Sequence, residues 1–158
     1  MPAVVRKIFE DYVKDRFDLE DCIAVNNGTS ALIACTWSMD LKPSDEIITT
    51  PFTFVATSNS ILIGGGKPVF VDINPETYLI DADKIEAKIT ENTKAIMPVH
   101  LYGRICQMDK INDIAQRYNL KVIEDTAQAF GAQYNNGKFA GMLSDAGTFS
   151  FYKTKNIS

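Results

Sequence analysis

The sequence predicts an α/β domain built on a mostly parallel sheet flanked by helices. Three observations point there. Short apolar runs of strand length alternate with segments of helical periodicity along the whole chain. Several of those runs end in polar or glycine-containing turns, and 158 residues with 46% apolar side chains suffice for one ordinary core.

Taken in order, Val4, Val5, Ile8, Phe9, Tyr12 and Val13 recur at helical spacing, and Cys22, Ile23, Ala24 and Val25 form a brief strand-like run that empties into Asn26-Asn27-Gly28. Residues 30–39 read as the next helix and 46–49 as a strand. A helix over 54–63 is stopped by Gly64-Gly65-Gly66, and a strand follows over 68–73. Residues 81–90 read as a helix with an acidic start, 95–99 as a strand and 108–118 as a helix; 121–124 and 146–151 read as further strands. No internal repeat, low-complexity tract or domain-joining linker interrupts the pattern, so residues 1–158 are expected to form one domain.

Composition removes several function classes. The net charge is -4 and the Lys and Arg residues are scattered, so there is no basic stripe to track nucleic acid and no polybasic tract for a membrane surface. The opening segment is charged and has no apolar stretch of signal-peptide or transmembrane length, so the expectation is a cytoplasmic protein. Cys22, Cys35 and Cys106 are odd in number and far apart, which predicts reduced, partly buried thiols rather than zinc ligands or a redox dithiol.

In open α/β sheets, ligands sit beyond the carboxyl ends of the strands. Three strand-end groups together suit pyridoxal 5'-phosphate (PLP). At Gly28-Thr29-Ser30, glycine permits close approach, while hydroxyls and N–H groups at a helix start suit a phosphate; alone, the segment reads rather as a plain N-cap formed by Thr29 or Ser30. Val122-Ile123-Glu124-Asp125 ends in two carboxylates, which alone would be a solvated loop or a helix cap. PLP withdraws electrons best when its pyridine nitrogen is protonated, and a fixed Asp125 would stabilise that N–H⁺. Glu124 points to the other face by alternation and reads as structural, while Gln128 can donate its amide to the ring's phenolic oxygen. The third group is Thr148-Phe149-Ser150-Phe151-Tyr152-Lys153-Thr154-Lys155-Asn156: Ser150 suits phosphate, Lys155 in an enclosed setting suits a Schiff base, and Lys153 reads as a solvated charge. His100, the only histidine, reads as half-buried and at most supporting.

These residues resemble the DegT/StrS-type PLP-dependent nucleotide-sugar aminotransferases, which have the aspartate aminotransferase-like fold (fold type I). The resemblance runs through Asn27-Gly28-Thr29-Ser30-Ala31-Leu32, Thr50-Pro51-Phe52-Thr53-Phe54-Val55-Ala56-Thr57, Pro98-Val99-His100-Leu101-Tyr102-Gly103, Glu124-Asp125-Thr126-Ala127-Gln128-Ala129 and the segment from Ser150 to Asn156. It implies that Lys155 is the Schiff-base lysine and that Asp125 pairs with the pyridine nitrogen. It further implies that Gln128 contacts the phenolic oxygen, that Thr29, Ser30 and Ser150 hold phosphate beside Gly28, and that Phe54 stacks on the ring; Phe54 alone would read as a core aromatic. Lys153 stands where a proline is often found.

The implied activity is a ping-pong transfer in which an amino acid donor, usually glutamate, displaces Lys155, which then moves the proton. A keto sugar carried on a nucleotide then accepts the amine, in polysaccharide or secondary-metabolite sugar biosynthesis. A lysine at this position separates such enzymes from related sugar dehydratases, which carry histidine there. Members are typically more than twice this length and work as homodimers, so the resemblance implies a partial PLP-binding large domain over 1–158, a truncated N-terminal portion without the C-terminal small domain. The alternative is an inactive fragment or non-catalytic remnant of such an enzyme. A flavodoxin-like binding module fits the alternation but leaves Lys155 and Asp125 unexplained.

Overall fold

A computed structural model describes residues 2–135 and 137–155; Asn156, the last residue of the Ser150 segment, lies outside them. The chain forms α1 (Ala3–Phe17), α2 (Gly28–Trp37), β1 (Glu46–Thr49), α3 (Ala56–Ile63), β2 (Lys67–Phe70), β3 (Thr93–Ile96), α4 (Met108–Arg117), β4 (Lys121–Asp125) and β5 (Ala146–Thr148). The five strands make one parallel sheet in the order β2-β1-β3-β4-β5. Because the chain starts at β1, moves out to β2 and returns to β3 on the other side, the strand order reverses beside β1. In sheets of this kind such a reversal opens a crevice for ligands at the carboxyl ends.

Successive strand residues face opposite sides, and the core divides accordingly. Ile48, Ile96 and Val122 pack in one cluster with Met108, Ile111 and Ile114 of α4, while Ile47, Ala95 and Ile123 join Leu32 of α2 and Ile61 of α3 in the other. The helix α4 buries Met108, Ile111, Ile114 and Ala115, the spacing from which it is legible in the sequence. Pro68 sits in β2, an edge strand, where the missing N–H does no harm.

Two expected elements are corrected. Residues 22–25 form no strand; Ile23 is 76% exposed and the Ala24 N–H donates to the Glu10 carboxylate on α1 instead of to a neighbouring strand. An apolar run becomes a strand only where another strand meets it, and the sheet offers none here. Residues 81–90 form two short 3-10 turns, Ala82–Lys84 and Glu86–Lys88, in place of a continuous helix. Ile85 between them is fully buried, so packing of that one side chain sets the path where so short a helix has little stability of its own.

Candidate active site

Asp125 ends β4 and is 4% exposed. Its backbone is held from both neighbours: the Asp125 N–H donates to the Pro98 carbonyl (2.9 Å), the His100 N–H donates to the Asp125 carbonyl (3.0 Å), and the Thr126 N–H donates to the Thr148 carbonyl (2.9 Å). Both carboxylate oxygens are also engaged. Oδ2 accepts from the Thr57 hydroxyl (2.8 Å) at the start of α3, and Oδ1 accepts from the Ala127 N–H (3.2 Å). Burial pushes the Asp125 pKa up; the Thr57 and Ala127 hydrogen bonds, His100 when protonated and the Lys155 ammonium oppose that shift by favouring the charged form.

Glu124 lies on the opposite face, as alternation predicts, and is fully buried. Its Oε2 accepts from the Gly141 N–H (2.8 Å) and pairs with His100 Nε2 (2.8 Å); its Oε1 accepts from the Leu143 N–H (2.8 Å) and the Ser144 hydroxyl (2.8 Å). His100 Nδ1 accepts from the Cys106 N–H (3.3 Å), which assigns the ring proton to Nε2 and makes the histidine the donor to Glu124. His100 is therefore completely buried rather than half-buried, and it braces the layer beneath the site. The 141–144 turn so held lies against β5: a Cβ at Gly147 would collide with the Gly141 backbone.

Gln128 is half-buried and its Oε1 accepts from the Tyr102 N–H (3.2 Å), which fixes the orientation of the amide. The NH₂ end, without a partner among the described residues, is left to donate. Tyr102 adopts a left-handed conformation (φ 55°) that aims its N–H at Gln128 and leaves its ring 70% exposed.

The Gly28 segment opens α2, and the cap is Asn27, whose side chain accepts from the Ser30 N–H (2.8 Å); neither Thr29 nor Ser30 caps the helix. Asn27 has the extended backbone and short side-chain acceptor that an N-cap needs, so the hydroxyls of Thr29 and Ser30 are not consumed in capping. Ser150 comes to the same place. A Cβ on Gly28 would lie 2.9 Å from Ser150 Cβ and 3.3 Å from Ser150 Oγ, so the missing side chain is what lets the helix start and the serine share one pocket.

Lys155 is half-buried after a tight turn in which its N–H donates to the Tyr152 carbonyl (2.7 Å), while Lys153 is exposed as expected. The enclosure expected around Lys155 is thus partial. Phe54 is 69% exposed just ahead of α3 and is no core aromatic.

This donor set suits PLP: hydroxyls and helix N–H groups for a dianion, a buried carboxylate with lone pairs to spare for a pyridinium N–H, an amide donor for a phenolic oxygen, and an amine for an aldehyde. The cradle at Gly28, which any larger residue would fill, supports the same fit. Sequence reasoning missed the Thr57 contact and the Tyr102 contact to Gln128. The i,i+4 spacing of Thr53 and Thr57 was a signal for the first, since it places both hydroxyls on one side of a helix start; a backbone N–H in a left-handed turn leaves no trace in sequence. The three cysteines are free thiols, Cys106 buried with its pKa pushed up to about 12 chiefly by that burial. Among the described residues no helix is long and apolar enough to cross a membrane, and no cluster of metal-ligating side chains occurs.

GDP-perosamine synthase of Caulobacter vibrioides is 49% identical over 95% of the chain and 40% of that protein. The dTDP-3-amino-3,6-dideoxy-alpha-D-galactopyranose transaminase of Aneurinibacillus thermoaerophilus is 52% identical over 82% of the chain and 36% of its own length. Among solved structures, NtdA from Bacillus subtilis with bound cofactor PMP superposes with a TM-score of 0.86 at 42% identity, covering 96% of this chain and 34% of that one. The chain spans about two fifths of the length of the curated relatives it matches. The profile of the DegT/DnrJ/EryC1/StrS aminotransferase family matches residues 5–158, and the chain belongs to that family.

Proposed function

We propose that this chain carries the PLP-binding part of a large domain whose protein moves an amino group from an amino acid donor, glutamate in the first instance, to a keto sugar linked to a nucleotide. The observation that carries the reading is the placement, beyond the carboxyl ends of β4 and β5, of a buried, doubly oriented Asp125, the Gly28–Ser150 cradle and Lys155. In this reading Thr29, Ser30 and Ser150 hold the phosphate, Asp125 holds the ring nitrogen, Gln128 the phenolic oxygen, and Phe54 covers a ring face. Bound PLP would supply an electron sink for the pair freed when a Cα–H bond breaks. Lys155 Nζ would be the amine that joins the cofactor aldehyde, and when free it would serve as the base that takes and returns the Cα proton. Asp125, when ionised, would face the ring nitrogen and stabilise its proton. The relatives' names, which pair aminotransfer with GDP- and dTDP-sugars, support a nucleotide sugar as acceptor. A homodimer in the cytoplasm completes the reading. A second reading, a non-catalytic remnant of such an enzyme, draws on the openness of the site, with Phe54 at 69% and Tyr102 at 70% exposure.

The test uses the protein expressed from its full reading frame and loaded with PLP. Glutamate is expected to release one 2-oxoglutarate per bound PLP, and a subsequent nucleotide-linked keto sugar to leave with the amine. PLP binding with no 2-oxoglutarate from glutamate or from any other amino acid would favour the remnant.

A further inference from the structure

Asp125 has a second-order environment that the cofactor reading does not assign. The Thr57 hydroxyl lies 2.8 Å from Asp125 Oδ2, and the Thr53 hydroxyl lies 2.9 Å from the Thr57 hydroxyl. Thr57 is fully buried and Thr53 half-buried. A hydroxyl owns one proton, and an ionised carboxylate can only accept. While Asp125 is charged, the Thr57 proton is therefore committed to Oδ2, and the contact between the two threonines has one remaining direction: Thr53 donates to Thr57.

We propose that Thr53 and Thr57 form a directed hydrogen-bond relay that orients the Asp125 carboxylate and holds it ionised, making both threonines positioning residues for the ring-nitrogen contact. The proposal rests on the PLP reading for its purpose but not for its physics. Each donor in such a chain polarises the next, so a proton given by Thr53 strengthens the bond from Thr57. Burial works the other way, since a carboxylate taken out of water favours its neutral form. If Asp125 took a proton, the relay would lose its direction, because the acid could then donate to Thr57. The other groups bearing on Asp125 are His100, four residues past β3, and Lys155 after β5; the Lys155 ammonium favours the charge, His100 does so only when protonated, and neither has a hydrogen bond to the two threonines among the described residues. The Ala127 N–H fixes the second oxygen, so Thr57 alone determines how the first one is turned.

The experiment titrates the Asp125 carboxyl carbon by NMR in the ligand-free full chain, with Asp125→Asn identifying its resonance. Thr57→Val, nearly the same shape without the hydroxyl, is expected to raise the titration midpoint by about one pH unit, the worth of one hydrogen bond to a charged group. Thr53→Val should raise it by roughly 0.2 unit through the weakened second bond, and Thr57→Ser should restore the wild-type midpoint. An unchanged midpoint in Thr57→Val overturns the proposal. So does a shift in Thr57→Val with none in Thr53→Val, which would end the chain at Thr57. Should Thr57→Val fail to fold, Thr53→Val and Thr57→Ser decide on the same criteria. PLP binding, followed by absorbance in the same variants, separates the two ideas: midpoint shifts without PLP binding keep the relay and remove the cofactor reading, whereas PLP binding without shifts does the reverse.

Discussion

Glu124→Ala is expected to lower the stability of the folded chain by about 3 to 5 kcal/mol, the usual cost of breaking a buried hydrogen-bonded charge network by removing one partner. The fully buried carboxylate receives four hydrogen bonds, from His100, the Gly141 and Leu143 N–H groups and Ser144. Truncation strands the fully buried His100 N–H and leaves three partly buried donors without their acceptor, and each unsatisfied group is costly. Glu124→Gln is informative because it keeps size and one acceptor oxygen while turning an NH₂ group toward a backbone N–H. Two donors then face each other, and a loss of roughly 1 to 3 kcal/mol follows. Urea unfolding monitored by circular dichroism measures both variants. The site should weaken with the fold, because the 141–144 turn that Glu124 holds packs against β5, and β5 leads to Ser150. Full stability in Glu124→Ala would show that this network is not a brace.

The second large effect concerns Asp125→Asn, which should act in opposite directions on ligand and fold. PLP affinity is expected to fall about 10- to 100-fold, since a charge-assisted hydrogen bond to the pyridinium is worth about 1.5 to 3 kcal/mol. Ligand-free stability is expected to rise at neutral pH. Burial raises the Asp125 pKa above its unfolded value, so the native state holds the proton more tightly than the unfolded chain does. That contribution is fully present below the ordinary carboxyl range and is lost as pH rises through the native pKa. Asparagine carries no charge to desolvate, so the variant should lack that decline. The Thr57 hydroxyl can turn to accept from the new amide while Oδ1 still takes the Ala127 N–H, which limits the structural cost. Equilibrium unfolding across pH, with and without PLP, reads both effects. A variant equally destabilised at every pH would mean that the carboxylate is structural. A gain of stability coupled to a loss of binding is the pattern of a group kept for function.

Much of this was legible in the sequence, for physical reasons that differ from element to element. Residues 46–49 are a short run with adjacent isoleucines that suits a strand buried on both faces, residues 108–118 carry apolar side chains at the period of a helix, and the structure holds β1 and α4 at nearly those bounds. Residues 22–25 carry an equally apolar run, but a strand is defined by its neighbour, and no local pattern records that the neighbour is missing. The helix expected over 81–90 failed for a related reason, one buried isoleucine deciding the path of a segment too short to hold itself. At the site, alternation along β4 correctly separated Asp125 from Glu124. Composition leaves the cap at α2 open, because Thr29, Ser30 and Asn27 are all good caps, and only the backbone shows that Asn27 is extended while the other two are already helical. Contacts between segments distant in sequence, such as Thr57 with Asp125 and His100 with Glu124, became visible only with the fold.

Reduction of the PLP-loaded protein with borohydride, followed by peptide mapping, tests most directly whether these residues form a PLP site. A pyridoxyl group fixed on Lys155, with the accompanying absorbance change lost in Lys155→Ala, is the expected result. Label on exposed Lys153 or spread over other lysines, undiminished in Lys155→Ala, would contradict it.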